Sequence, residues 1–283
     1  MGAITLALIS SVLWGLADFL GGLRSRTLPV PVVLAGMYFS SLAVMLVYVA
    51  VRGEGPPSSS HVLAALGSGL AGIVGLSAFY RGLAIGTMSI VAPIASTGVA
   101  LPVLVGVLDG DRPGIVRTAG LALTVAGVVL ASRETDGGGV PGPDQRRSVL
   151  LAVMTAICFG SYFVLAQIGA RGDVAWGLAL SRISAFPLIA MAALLALKRG
   201  GARPGRSAIV ALSGFGLIDL AANALYNHAS TIGQLSSVSV AGSLYPVSTV
   251  VLAALVLGER VQGVQRLGIG VALTGVVLIA AGG

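Results

Sequence analysis

Charged side chains are scarce in this chain of 283 residues: Asp, Glu, Lys and Arg make up only 10% of it. An ordinary soluble domain carries about 25% of such residues. Hydrophobic residues make up 56% of the sequence, and the mean hydropathy is +0.98. A soluble domain of this length would need polar surface that this chain lacks. The composition therefore indicates a protein whose main solvent is lipid.

Cysteine and histidine are also nearly absent. Cys158 stands alone inside an apolar run, which excludes a disulfide framework and a cysteine metal cluster. We expect it to pack as a small buried hydrophobe. His61 and His228 do not have the spacing of a zinc site. There is no Walker A sequence either, so we expect no cofactor and no ATP hydrolysis within this chain.

Positive charge is in excess, with a formal net charge of +7. Nucleic acid is not expected as a partner, because the basic residues lie between apolar runs and form no basic stripe with interleaved aromatics. The first apolar run, at residues 4–20, has no basic segment before it. A secretory signal peptide would have one, so we interpret this run as a retained first helix.

Ten apolar runs are long enough to cross a bilayer, which takes about 20 residues. The sequence thus predicts an all-α integral membrane protein with ten transmembrane helices. The longest polar stretch, at residues 133–147, is rich in Gly, Pro and charge and lies between the fifth and sixth runs. We interpret it as a linker between two halves, residues 1–132 and 148–283. The predicted spans are residues 3–22, 30–51, 61–85, 88–108, 113–132, 148–170, 174–198, 207–230, 233–257 and 261–281.

The two halves resemble each other. The segments at residues 127–130 and 275–278 are identical, Gly-Val-Val-Leu, at an offset of 148. Other matches at offsets of 144 to 148 occur in the same order along both halves, among them Tyr80 with Tyr226 and Pro102 with Pro246. Because five helices bring the chain to the opposite face, the second half enters the membrane inverted. Inverted five-helix repeats are typical of secondary transporters, whose substrate site lies near the midplane between the halves.

The sequence resembles the EamA-type members of the drug/metabolite transporter superfamily over essentially its whole length. The residues that carry the resemblance are Trp14-Gly15, Gly160, Pro102, Pro246, the Leu-Gly-Glu-Arg segment at 257–260 and the glycine-spaced run at 268–275. Two features depart from the pattern: Asp109-Gly110-Asp111 in the first half, and Asp18 just after the Trp-Gly pair. The resemblance implies transport by alternating access. It does not imply a particular substrate, because the family handles amino acids, drugs and other metabolites.

Four charged residues lie inside predicted spans: Asp18, Arg81, Arg182 and Asp219. Charges in lipid are costly and usually face a cavity or a partner. Depth along the helices matches Asp18 with Arg81 and Arg182 with Asp219, so we predict two acid–base pairs. Each pair is interpreted either as part of a substrate or proton site or as a neutralised structural ion pair. For Asp18 and Arg81, positions at the membrane interface are a third interpretation.

The eighth predicted helix is the most polar. Asp219, Asn223 and Tyr226 follow one another at i, i+4 and i+7 on one face, which we expect to border a water-filled cavity. We count Tyr80 and Tyr245 among the substrate-binding candidates. Tyr38, Tyr162 and Gln167 are further candidates for lining, and packing is the alternative for all five. Pro102 and Pro246 are interpreted as paired hinges or as ordinary kinks.

Membrane orientation is left open by two conflicting signals. Eleven Lys and Arg residues follow odd-numbered predicted helices and four follow even-numbered ones. By the positive-inside rule both termini would lie outside, whereas the family resemblance implies termini in the cytoplasm.

The function expected from the sequence is secondary transport of a small organic metabolite across the plasma membrane or a bacterial inner membrane, with protons as a candidate coupling ion. The protein is not expected to be an enzyme. A membrane-embedded enzyme and a non-transporting scaffold are kept as alternatives. Expected partners are a small-molecule substrate and the lipid bilayer, with a homodimer left open.

Overall fold

The structure, a computed structural model, describes residues 2–86, 88–110, 114–131, 143–258 and 263–281. Every regular element in these ranges is helical, because hydrogen bonds within a helix satisfy the backbone in hydrocarbon. A short 3₁₀ turn, Thr97–Val99, joins α4 to α5. The helices are α1 (Gly2–Arg24), α2 (Val30–Arg52), α3 (Ser59–Ile85), α4 (Met88–Ser96), α5 (Ala100–Leu108), α6 (Ile115–Ala131), α7 (Pro143–Gly172), α8 (Val174–Lys198), α9 (Arg206–Ile232), α10 (Leu235–Gly242), α11 (Tyr245–Leu257) and α12 (Gly263–Ala281).

Seven stretches are long and apolar enough to cross a membrane: α1, α2, α3, α7, α8, α9 and the α10–α11 unit, Leu235–Leu257. Their outer surfaces carry large apolar side chains such as Val51, Leu63 and Leu150, each at least 69% exposed. The predicted all-α membrane fold is confirmed at this level. The count of ten spans stays a prediction, because the stretches predicted at 88–108, 113–132 and 261–281 are not among the seven.

Helix α7 begins earlier than the sequence suggested. It starts at Pro143, so the last five residues of the linker predicted at 133–147 are helical. Asp144 lies in the first turn, where a carboxylate stabilises the positive end of the helix dipole. Arg147 lies one turn further on, 3.9 Å from Asp144. The rest of the predicted linker, up to residue 142, falls outside the described residues.

The two halves pack as inverted copies of each other. Helix α1 lies against α9, and its counterpart α7 lies against α3. Helix α2 packs on its counterpart α8, and α6 packs on α12. A pseudo-two-fold axis between the halves produces both patterns. Helices near the axis contact their own counterparts, as α2 and α6 do, and the contact of α1 with α9 is repeated by that of α7 with α3.

Matched serine hydrogen bonds give the register of this repeat. Ser40 Oγ on α2 donates to the Ser213 carbonyl on α9 at 3.0 Å. Ser184 Oγ on α8 donates to the Leu66 carbonyl on α3 at 2.9 Å. The serines give an offset of 184 − 40 = 144 between α2 and α8, and the acceptors give 213 − 66 = 147 between α3 and α9.

Two glycines make these serine contacts possible. A Cβ added at Gly216 would overlap the Met37 carbonyl, and one added at Gly69 would overlap the Ser181 carbonyl. Gly216 and Gly69 are themselves related by the offset of 147. Small residues that let helix backbones approach closely are the usual means of helix association in membranes.

The fourth and ninth predicted helices are each broken near the middle. Helix α4 ends at Ser96 and α5 begins at Ala100, while α10 ends at Gly242 and α11 begins at Tyr245. Pro102 and Pro246 therefore do not kink continuous helices. They lie in the first turn of α5 and α11, where a proline costs no hydrogen bond of the helix ladder.

The first helix of each half packs against the broken helix of the other half. A Cβ added at Gly15 on α1 would overlap the Tyr245 carbonyl at the start of α11. A Cβ added at Gly160 on α7 would lie 2.6 Å from the Gly98 carbonyl in the turn before α5. These reciprocal contacts lie near mid-span in α1 and α7, and they hold the broken helices next to the centre of the molecule.

Candidate functional site

A cavity lies between the two halves at mid-depth in the helices. Its volume is about 50 Å³, which gives room for a few waters or one compact polar group. We call it the midplane cavity. Its twelve lining residues are Trp14, Asp18, Tyr38, Gly72, Leu76, Phe159, Tyr162, Phe163, Arg182, Asp219, Asn223 and Tyr245.

The lining follows the internal symmetry. Ten of the twelve residues form five pairs at the offsets of the repeat, 145 for α1 and α7, 144 for α2 and α8, and 147 for α3 and α9. The midplane cavity therefore lies on the pseudo-two-fold axis. The two side chains of each pair differ in polarity, size or charge. The backbone around the cavity is therefore symmetric, while its charged groups are not. The pairs are Trp14 with Phe159, Asp18 with Phe163, Tyr38 with Arg182, Gly72 with Asp219, and Leu76 with Asn223.

Arg182 and Asp219 form an ion pair in the cavity wall. Arg182 Nη2 lies 2.7 Å from Asp219 Oδ2, and the two residues are 3% and 8% exposed. The guanidinium also stacks on the Tyr38 ring, 4.6 Å from its centroid. The predicted pairing of these two charges is confirmed. Both ions are held by partners on three helices, α2, α8 and α9, which come from both halves.

A polar network extends from this pair along α9. Asn223 Nδ2 donates to the Asp219 backbone carbonyl at 2.6 Å. The Tyr162 hydroxyl on α7 donates to Asn223 Oδ1. The Trp14 side chain on α1 also interacts with the Asp219 carboxylate. Asp219 on α9 is thus linked, directly or through Asn223, to side chains on α1, α7 and α8, which fixes its position in the cavity wall.

Asp18 lines the same cavity, and among the described residues no basic side chain is paired with it. The residue is 6% exposed, and its carboxyl group interacts with the Tyr80 side chain and, through space, with Asp219. The Tyr245 hydroxyl, in the lining beside it, is buried and has no hydrogen-bond partner among the described residues. This end of the cavity therefore holds a carboxyl group and an unpaired hydroxyl group.

The predicted pairing of Asp18 with Arg81 is wrong. Arg81 is exposed and lies in an outer groove with Leu151 and Leu188. Successive helical residues point about 100° apart. Because Tyr80 points toward α1, with its hydroxyl 3.3 Å from the Ala17 carbonyl, Arg81 is turned toward the outside of the bundle. Equal depth in the membrane did not imply a shared face.

Tyr80 and Tyr226 are fully buried but do not line the midplane cavity. The Tyr226 hydroxyl bonds Ser239 Oγ on α10 at 2.8 Å. Its ring packs on Trp14 and Phe163, with centroids 5.3 and 4.9 Å apart. The prediction that Tyr226 lines this cavity with Asp219 is therefore wrong: Tyr226 lies on the same face of α9 but two turns beyond Asp219, past the end of the cavity. The offset of 147 also places Tyr80 one residue out of register with Tyr226.

Sequence reasoning missed two aromatic rings on α7. Phe159 and Phe163 line the cavity at a spacing of four residues, on either side of Tyr162 in the sequence. The available signal was the clustering of Phe159, Tyr162 and Phe163 within five positions, in a chain of which aromatic residues make up only 5%. Gln167, a further candidate, lies outside the midplane cavity and donates to the Ser230 carbonyl at 3.2 Å.

A second, larger cavity opens at the end of the molecule that carries the start of α1. Its volume is about 590 Å³, and we call it the vestibule. Polar side chains in its lining include Asp109, Gln167, Arg171 and Ser237. Trp14, Phe163 and Tyr226, each in ring contact with the other two, lie between the vestibule and the midplane cavity.

Comparison with known proteins gives the family. The EamA-like transporter family model matches residues 1–133 and again residues 146–281. The chain belongs to the EamA-like transporter family. The double match to one model shows that this EamA-like protein is a repeat, and the membrane character inferred from composition is typical of the family. Glu259 and Arg260, part of the segment that carried the resemblance, lie outside the described residues.

One protein of known crystal structure superposes on this EamA-like chain with a TM-score of 0.73 at 20% sequence identity. The match covers 98% of each chain. At this identity the likeness shows the fold alone. No curated protein matches the chain. Within the described ranges, no group of three or more His, Cys, Asp and Glu side chains is placed to hold a metal ion.

Proposed function

We propose that this EamA-like protein is a secondary transporter that carries a small organic metabolite across a cell membrane by alternating access. The observation that supports it best is the midplane cavity, which lies on the pseudo-two-fold axis and holds Asp18, Asp219 and Arg182. A site on this axis is exposed to opposite faces when the two halves rock against each other. Asp219, Arg182, Asn223, Asp18 and Tyr245 are the proposed substrate contacts.

The layers of side chains that close the midplane cavity toward the two faces of the molecule differ. Toward the vestibule, Phe163 lines the midplane cavity and Gln167 lines the vestibule, a separation of four residues or about 6 Å along α7. Toward the opposite face, Phe79, Tyr80 and Leu83 on α3 are all completely buried. We propose that solute reaches the site through the vestibule in this conformation, and that movement of the Trp14, Phe163 and Tyr226 rings opens the way.

Proton coupling is proposed through the carboxyl groups of the cavity. A buried carboxyl group without a basic partner is costly to ionise, so gain and loss of its proton change the charge of the site. Asp18 fits this role better than Asp219, because Asp219 is neutralised by Arg182. The membrane concerned would be the plasma membrane or a bacterial inner membrane.

Two measurements test the proposal. A solute screen with purified protein identifies ligands that raise the melting temperature by mass action. Each ligand is then assayed for flux into proteoliposomes, with and without a proton gradient. We expect flux that saturates and that is lost in Asp219→Asn and Arg182→Gln but retained in Arg81→Gln, a matched change of charge outside the cavity. Normal flux in both cavity variants would refute the site.

A further inference from the structure

Aromatic side chains are concentrated around the midplane cavity. The chain holds only 2 Trp, 6 Tyr and 7 Phe residues, yet half of the twelve lining residues are aromatic: Trp14, Tyr38, Phe159, Tyr162, Phe163 and Tyr245. Neighbouring rings are close, with Tyr162 and Phe163 centroids 5.6 Å apart and Trp14 and Phe163 centroids 5.8 Å apart. Such walls present ring faces and edges, and ring faces attract cations.

The wall already holds one cation in this way. Arg182 lies over the Tyr38 ring at 4.6 Å, within the range of a cation–π contact. This guanidinium is also paired with Asp219 at 2.7 Å. Its positive charge is therefore satisfied inside the protein, and it is a poor attractant for a second anion.

The charge balance of the lining is negative. Asp18 and Asp219 contribute two carboxyl groups, and Arg182 contributes the single basic group. After Arg182 pairs with Asp219, Asp18 is left over. The groups that act on it are the Tyr80 side chain and Asp219, and its charge also acts on Tyr245. A buried carboxyl group in such surroundings holds a proton or pairs with a cation from outside.

We infer that the substrate of this site is a compact organic cation, an amine or a quaternary ammonium compound, with Asp18 as its counter-ion and the aromatic wall around its head group. The inference rests on the transport function proposed above and names its substrate class. The small cavity favours a head group of a few heavy atoms over a drug-sized molecule, whose pockets measure about 300–1,000 Å³.

A zwitterion is the closest competitor, because it would place its carboxylate at Arg182. The Nε atom of Arg182 has no partner among the described residues and would be available to it. That carboxylate would have to compete with Asp219 for the same buried guanidinium. A cation at Asp18 displaces no ion pair, and the structure therefore favours the cation.

Three probes with the same branched head separate these cases: choline is a cation, betaine is a zwitterion, and 3,3-dimethylbutan-1-ol is the neutral analogue of choline. Binding to purified protein is measured by calorimetry. We expect choline to bind at least about tenfold more tightly than the other two. Asp18→Asn should remove this preference, Asp18→Glu should keep most of it, and Arg81→Gln should leave it unchanged.

The relative affinities of the three probes for the unmodified protein decide the question even if an Asp18 variant fails to fold. Equal binding of choline and its neutral analogue would overturn the inference, and so would tighter binding of betaine. If none of the three binds while the flux assay identifies another solute, the cation inference fails and the transport function stands. If no solute shows flux, the transport function itself fails.

Discussion

Removing one partner of the Arg182–Asp219 pair should cost far more than removing both. Either single change, Asp219→Asn or Arg182→Gln, leaves an uncompensated charge at a residue that is 3% or 8% exposed. Breaking a buried pair in this way costs about 3–5 kcal/mol. In the double variant neither charge is left; Asn has the shape of Asp, and Gln is smaller than Arg but polar and neutral. We expect it to lie within about 1 kcal/mol of the unmodified protein.

The assay is a double-mutant cycle on the detergent-solubilised protein, with the free energy of unfolding measured by denaturant titration. A coupling energy of about 3 kcal/mol or more is expected. Additive effects, or single variants that each cost less than about 1 kcal/mol, would refute the buried pair. The double variant has a second use: if it is stable but does not move solute, loss of transport cannot be attributed to misfolding.

Three further predictions concern other parts of the molecule. Gly69→Ala and Gly216→Ala should each cost about 1–3 kcal/mol, because the new Cβ meets a backbone carbonyl of a neighbouring helix. In the same unfolding assay Gly214→Ala, whose Cβ meets no atom of another helix within 4 Å, should be neutral or slightly stabilising. Tyr226→Phe should cost about 1 kcal/mol through loss of the bond to Ser239 and should leave ligand affinity unchanged by calorimetry, whereas a weakened affinity would place Tyr226 in the binding site. Although burial opposes ionisation of Asp173, hydrogen bonds from Arg52 and from the Trp176 backbone N–H hold the pKa of Asp173 below its ordinary value. A lowered pKa in the folded state stabilises the protein above the unfolded pKa, near 3.9, and this contribution is lost as the pH falls through the folded value. The difference in melting temperature between the unmodified protein and Asp173→Asn should therefore be present at pH 7 and shrink below about pH 4, and a difference that does not change with pH would contradict this.

The positions of most helices followed from hydropathy alone. The seventh predicted span, at residues 174–198, coincides with α8 (Val174–Lys198), and the second differs from α2 (Val30–Arg52) by one residue. These helices are bounded by polar or turn-forming residues, which hydropathy detects. The breaks at Thr97–Val99 and before Tyr245 were not predicted as breaks, because no charged residue interrupts the apolar runs there. The signals in the sequence are the small residues Ser96-Thr97-Gly98 and Gly242-Ser243 and the following prolines, Pro102 and Pro246.

The candidate site could be predicted only in part. Depth along the helices brought Arg182 and Asp219 together correctly, since α8 and α9 present these residues to the same cavity. The same reasoning failed for Asp18 and Arg81, because depth says nothing about rotation about the helix axis. Rotation is set by contacts between helices, such as the approach of Tyr80 to α1, and these contacts were not visible in the sequence.

The central claim is that the midplane cavity is a solute path open in turn to both sides of the membrane. Cys158 is the single cysteine of the chain, so Cys158→Ala gives a background free of thiols. In that background Leu76→Cys places a thiol in the cavity lining, and Leu255→Cys, at a position that is 78% exposed on the outer surface of α11, is the control.

The decisive measurement is the reaction of Leu76→Cys with a membrane-impermeant methanethiosulfonate reagent, applied in separate experiments to each side of oriented vesicles. The account predicts labelling from both sides, with rates that change in opposite directions when a transported solute is added, and no labelling of Leu255→Cys. Labelling from one side only, under every condition, would contradict alternating access through this cavity.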